Sequence, residues 1–142
     1  MRSEQAALVR KSFDAMWPMY RKIADLCYTR LFELAPDTRA LFPSDMDRQR
    51  FKLMDMIAAL VGALDHRELF QSLITHSGRK HADFGVRPSQ YIVFGEALIW
   101  SLERQFGEAF TPDVKQAWRG LYAIVQDEMV RAGASRLSSS DG

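Results

Sequence analysis

The chain has 142 residues, 47% of them apolar, which suits one domain with a sizeable core. Lys and Arg (19) nearly balance Asp and Glu (18), and the formal charge of +1 argues against nucleic acid as the main partner, since phosphate binding needs a clustered positive excess. A single cysteine, Cys27, excludes an intrachain disulfide and any zinc site built on two or four cysteines.

The start, MRSEQAALVRKSF, holds no apolar stretch of signal-peptide length. Ser3 is placed to cap a first helix, on which Leu8, Val9, Phe13 and Met16 share a face. Pro18 marks the boundary with a second segment carrying Ile23, Leu26, Cys27, Leu31 and Leu34, and Pro36 ends it because the residue before proline avoids the helical region. A loop with FPSD follows. From about Met46 to Leu64, the set Leu53, Ile57, Leu60, Val61 and Leu64 makes a helical stripe. Arg48, Arg50 and Lys52 lie close together there, flanked by Asp47 and Asp55, as on a solvated face. The longest apolar run, MIAALVGAL, is nine residues between Asp55 and Asp65, too short to span a membrane. A cytoplasmic protein with no membrane contact is the default expectation.

Beyond it, Leu69, Phe70, Leu73 and Ile74 continue the helical period from about Arg67, with Gly85 as the stop. Pro88 suits the first turn of a long helix through Trp100 and Phe106, ended near Gly107. Thr111, Pro112 and Asp113 form a cap, a first-turn proline and a dipole-matched acid for a last helix holding Val114, Trp118, Leu121, Tyr122, Val125 and Met129. The closing GASRLSSSDG is small and polar, so a domain over residues 1–133 is followed by a tail over 134–142 that is expected to fray. No strand alternation competes, and the fold class is all-α.

Residues 76–86, HSGRKHADFGV, hold the residues of greatest chemical interest. His76 and His81 are five apart, about 140° around a helix, so they cannot face one pocket. Paired histidines on one helix bind zinc at spacings of three or four. His81 shares a face with Ile74, Ser77 and Gly78, whereas His76 sits with Arg79 and Lys80, so His81 is the inward candidate. His66 lies in a polar connector. A single inward histidine with no cysteine or carboxylate cluster suits a metal that brings its own equatorial ligands, which means haem.

The segments that fit this idea are ordered along the chain: YTRLFELAPDTRALF (28–42), RQRFKLM (48–54), GRKHADFGV (78–86), QYIVFGEAL (90–98) and AWRGLYAIV (117–125). Over roughly residues 4–132 the sequence resembles the globins, and among them the single-domain bacterial haemoglobins and the haem domain of flavohaemoglobins. The resemblance implies an eight-helix globin fold, a three-on-three sandwich around haem b. Pro36 and Thr38 would form the turn, and Phe42 would stack on the haem. His81 would be the axial iron ligand, its other ring nitrogen held by the Ser77 carbonyl one turn earlier. Leu53, Val86 and Phe94 would line the pocket. Tyr91 resembles a tyrosine aimed at the proximal histidine, but the glutamate paired with it in flavohaemoglobins is replaced by Gly133. Phe51, Phe84 and the three tryptophans are left to core or surface packing, and Cys27 to the core.

On the distal side the resemblance puts Tyr28 and Gln49 against the ligand, both as hydrogen-bond donors. It implies a haemoglobin that binds dioxygen reversibly and tightly, and also carbon monoxide and nitric oxide. A nitric oxide dioxygenase served by a separate reductase is the alternative, since this length has no room for a flavin and nicotinamide domain. A diatomic gas sensor, and a haem-free interaction module, rank behind both.

Overall fold

The computed structural model describes the backbone of residues 1–141 and the side chains of residues 1–135. Six α-helices carry the fold: α1 (Ser3–Met16), α2 (Tyr20–Leu34), α3 (Asp47–Gly62), α4 (Arg67–Asp83), α5 (Pro88–Phe106) and α6 (Pro112–Asp141). Short 3-10 segments at Trp17–Met19, Pro36–Leu41 and Gly107–Ala109 join them, and no strand occurs among the described residues. The eight helices implied by the resemblance therefore appear as six α-helices and three 3-10 segments. Most of the expected tail lies outside the residues whose side chains are described; its backbone continues α6 to Asp141.

Local chemistry explains most boundaries. Ala35 takes an extended φ of −141° ahead of Pro36, which forbids a further helical turn. Gly107 closes α5 at a φ of 54°, a region that side-chain-bearing residues avoid. Thr111 Oγ1 accepts the Val114 N–H at 3.3 Å, the cap read from the TPD triplet. Ser3 is a correction. It is the first residue of α1 itself, no side chain caps the helix, and the Ala6 N–H is satisfied by the Arg2 carbonyl at 3.0 Å.

The core joins Val9, Phe13 and Met16 of α1 to Ile23, Cys27 and Leu31 of α2, Met54 and Leu60 of α3, Ile74 of α4, Leu98 and Leu102 of α5, and Trp118 and Leu121 of α6. Each of these side chains contributes about 1.5–3 kcal/mol by leaving water. Helix α4 packs mainly on α6, α2 on α5, and α3 on α2; α3 and α4, though consecutive, scarcely touch. The α4–α6 contact is close because it runs through glycine: a Cβ on Gly78 would stand 2.6 Å from the Met129 carbonyl oxygen. No helix among the described residues is long and apolar enough to cross a membrane.

Candidate functional site

Helices α3 and α4 scarcely touch, so the Tyr28–Gln49 side and the His81 side form separate walls, and rings of α5 meet both. On the α3 side, Gln49 Nε2 donates to the Tyr28 Oη at 3.0 Å. Tyr28 projects from α2 and is 4% exposed, whereas Gln49, in the first turn of α3, is half-buried. Burial raises the Tyr28 pKa well above the ordinary phenol value; the Gln49 hydrogen bond offsets this only partly. The hydroxyl therefore stays protonated across the physiological range. Because Gln49 donates to the Tyr28 oxygen, the tyrosine proton is left free to donate elsewhere, and accepting one bond polarises the O–H for the next.

Aromatic rings fill the space beside this pair. Phe42 meets Tyr28 edge-on at 5.4 Å between centroids, and Phe94 of α5 lies 6.2 Å from it. Phe42 is held by its loop. The Arg39 guanidinium donates to the carbonyls of Phe42 (3.3 Å), Pro43 (2.8 Å) and Ser44 (3.1 Å), a latch that the sequence reading did not single out. Thr38 closes the preceding turn through Oγ1, which donates to the Ala35 carbonyl at 2.7 Å. Leu53, Val86, Phe42 and Phe94 are each half-buried and packed against the core, as pocket walls would be.

On the α4 side, the His81 Nδ1 lies 2.6 Å from the Ser77 carbonyl oxygen, with Ser77 Oγ at 3.3 Å. A carbonyl can only accept, so Nδ1 carries a proton, and Nε2 is the ring nitrogen left for a metal. His81 extends the face formed by buried Ile74, Ser77 and Gly78, but its own ring is exposed, which the inward reading of that face did not anticipate. The ring faces Tyr91 of α5 at 6.0 Å, and Tyr91 is 9% exposed with its pKa pushed up to about 12 by burial. His76 is exposed and stands apart from this group.

The end of α4 shapes the rest of the wall. Gly85, at a φ of 87°, lets the Val86 N–H return to the His81 carbonyl (3.0 Å) and its own N–H reach the Ala82 carbonyl (3.0 Å). This Schellman closure brings Val86 back beside His81. At Gly133 a Cβ would stand 3.1 Å from the Ala82 Cβ and 3.3 Å from the Gly78 carbonyl, so the helix pair has little room there for a side chain.

Helix α5 links the two walls, with Tyr91 beside His81 and Phe94 beside Tyr28. The sequence reading missed what fixes it. The Tyr122 hydroxyl of α6 donates to the Tyr91 carbonyl, and its ring lies directly over Gly95, where a Cβ would collide with the ring carbons. The sequence signal was a lone glycine inside a strong helix, which commonly marks a close approach.

Among the described residues no group of three or more His, Cys, Asp or Glu could hold a bare metal ion. The donor set is one imidazole beside partly buried apolar side chains. Such a set would suit an apolar group that brings most of its metal's ligands itself, which His81 would bind and Phe42, Leu53, Val86 and Phe94 would surround.

Residues 25–129 match the family model described as Globin. Neuroglobin of Tetraodon nigroviridis is 29% identical over 93% of this chain and 92% of its own length. Neuroglobin of Danio rerio is 30% identical over 89% of each. Among solved structures, an engineered carbene transferase, a single-substitution variant of an inferred nitric oxide dioxygenase from Rhodothermus marinus, superposes with a TM-score of 0.90 at 25% identity, over 100% of this chain and 99% of its own. The flavohaemoglobin of Malassezia yamatoensis, solved with FAD and haem, gives a TM-score of 0.81 at 18% identity over 94% of this chain and 37% of its own, a likeness of fold.

Proposed function

Because the chain belongs to the globin family, we propose that it holds haem b between α3 and α4 and binds dioxygen reversibly and tightly. The observation that carries this reading is the pairing of a free-Nε2 histidine on one wall with the Tyr28–Gln49 donor pair on the other. Haem, when bound, supplies an iron at which a diatomic gas sits and at which dioxygen takes on partial negative charge. His81 would give the axial nitrogen, oriented by the Ser77 carbonyl so that the ring neither rotates nor loses its tautomer. Tyr28 and Gln49 would hold hydrogen-bond donors where negative charge gathers, each worth roughly 1.5–3 kcal/mol, or roughly 10- to 150-fold in affinity. Such donors act mostly by slowing release. Carbon monoxide carries less charge and gains less from them. The apolar side chains of Phe42, Leu53, Val86 and Phe94 would keep water from the iron.

The test is reconstitution with hemin, followed by reduction and exposure to air. A Soret band with a lasting two-banded oxy spectrum is expected, and His81→Ala should lose it while His76→Ala keeps it. Absence of haem uptake by the unaltered chain overturns the reading.

A second reading is nitric oxide dioxygenase, in which held dioxygen and nitric oxide combine to nitrate. The likeness to the Rhodothermus protein favours it. It needs a reductase to return the iron to the ferrous state. Stoichiometric nitrate on adding nitric oxide to the oxy form, repeated over many turnovers with a reductase, would support it. A role in gas sensing or oxygen transport, and a cytoplasmic location, rest on no residue described above.

A further inference from the structure

The first turn of α3 carries Gln49, and its outer side is poorly supported. A cleft of about 540 Å3, lined by Tyr20, Arg21, Asp25, Asp47, Arg50 and Phe51, undercuts it. Buried Met46 anchors the residue before the turn, but Phe51 is 56% exposed, so on this outer side apolar packing does little to hold it. Polar contacts reach α2 on both sides instead. Inside, Gln49 donates to Tyr28. Outside, the next residue, Arg50, places Nη2 3.3 Å from Asp25 Oδ1, and Asp25 lies one turn before Tyr28 on α2. The other arm, Nη1, lies 2.8 Å from Asp47 Oδ1 within α3. The Arg50 Nε is shielded from solvent without a hydrogen-bond partner, so the guanidinium sits partly inside the α2–α3 crossing rather than swinging free. Its charge is near enough to bear on the Tyr28 hydroxyl.

We infer that Arg50 is a positioning residue for the distal pair: by bridging to Asp25 it holds the first turn of α3 against α2 and keeps Gln49 on Tyr28. The inference rests on the reading that Tyr28 and Gln49 face the bound gas. The two contacts share a turn on each helix, so loosening the outer one lets the Gln49 backbone move away and frees its amide to solvent. An exposed ion pair is weak, and the expected effect is a second population rather than loss of the pocket.

The reconstituted ferrous protein with carbon monoxide tests this through its C–O stretch, which reports the field and hydrogen bonds at the ligand. Tyr28→Phe and Gln49→Val calibrate the band. Arg50→Gln and Asp25→Asn should each split it, the new component lying where Gln49→Val puts it, and dioxygen release should quicken about two- to five-fold. Asp47→Asn removes only the pair within α3 and should leave one band. An unsplit band in Asp25→Asn overturns the bridge, including the case where Arg50→Gln alone changes, since the charge and not the contact would then be acting. Equal splitting by Asp47→Asn also overturns it. If Tyr28→Phe and Gln49→Val leave the band unmoved, the distal reading itself has failed, and the bridge has no pair to position.

Discussion

At the scale of single residues, the hydrogen-bond direction between Gln49 and Tyr28 decides the chemistry. The amide donates to the phenol oxygen, so the phenol proton remains for a ligand. Tyr28→Phe should speed dioxygen release by roughly 10- to 150-fold, read by stopped-flow displacement with carbon monoxide, and Gln49→Val by less, because Gln49 is half-exposed. Ser77→Ala should leave haem binding and the Soret spectrum nearly unchanged, since the short bond to His81 comes from the main-chain carbonyl. A large loss of haem affinity in Ser77→Ala would assign the task to Ser77 Oγ instead. The His81–Ser77 contact was legible because helical spacing puts that carbonyl one turn before the ring, and the ordered motifs grouped Tyr28 with Gln49. The exposure of the His81 ring was not, since it depends on how α3 and α4 lean on other helices, which no local pattern states.

At the scale of elements, prolines and glycines made the boundaries readable. Pro36, Gly85 and Gly107 act through their own backbone limits, and these work without tertiary help. The start of α1 was misread at Ser3 because a serine near a helix start can be the cap or the first residue, and only the hydrogen bonds distinguish them. Gly85→Ala should cost about 1 kcal/mol or more in urea unfolding, because alanine is strained at a φ of 87°. The Tyr122–Gly95 contact was illegible since its halves lie on different helices. Gly95→Ala should destabilise by about 1–3 kcal/mol, the usual cost of overpacking, and should disturb the ligand spectrum as well as stability.

At the scale of the whole molecule, the family fold was visible in the order of its motifs, while the paths by which helices support one another were not. Four weak acids, three of them buried and Tyr122 partly so, bear on its alkaline limit. Burial raises Cys27 from an ordinary 9.0 and Tyr91 from 10.0, each to about 12, and pushes Tyr28 and Tyr122 up as well. Where the unfolded chain has lost these protons the folded chain keeps them. Their stabilisation is therefore full below about pH 9 and drains away as pH climbs towards about 12. Urea midpoints for the haem-free chain should be flat up to about pH 9 and fall above it, and Cys27→Ala should move the onset to about pH 10. A midpoint that holds to pH 11 would contradict the burial of these groups. One tyrosine also touches the surroundings of both candidate positions. Tyr122 touches neither candidate ligand position, yet its hydroxyl is fastened to the residue beside His81 and its ring to the neighbour of Tyr28. Energetic linkage is reciprocal. If loosening Tyr122 alters gas affinity by some factor, then gas arriving must alter the hold on Tyr122 by the same factor, and a proton resonance from that hydroxyl becomes a remote gauge of occupancy.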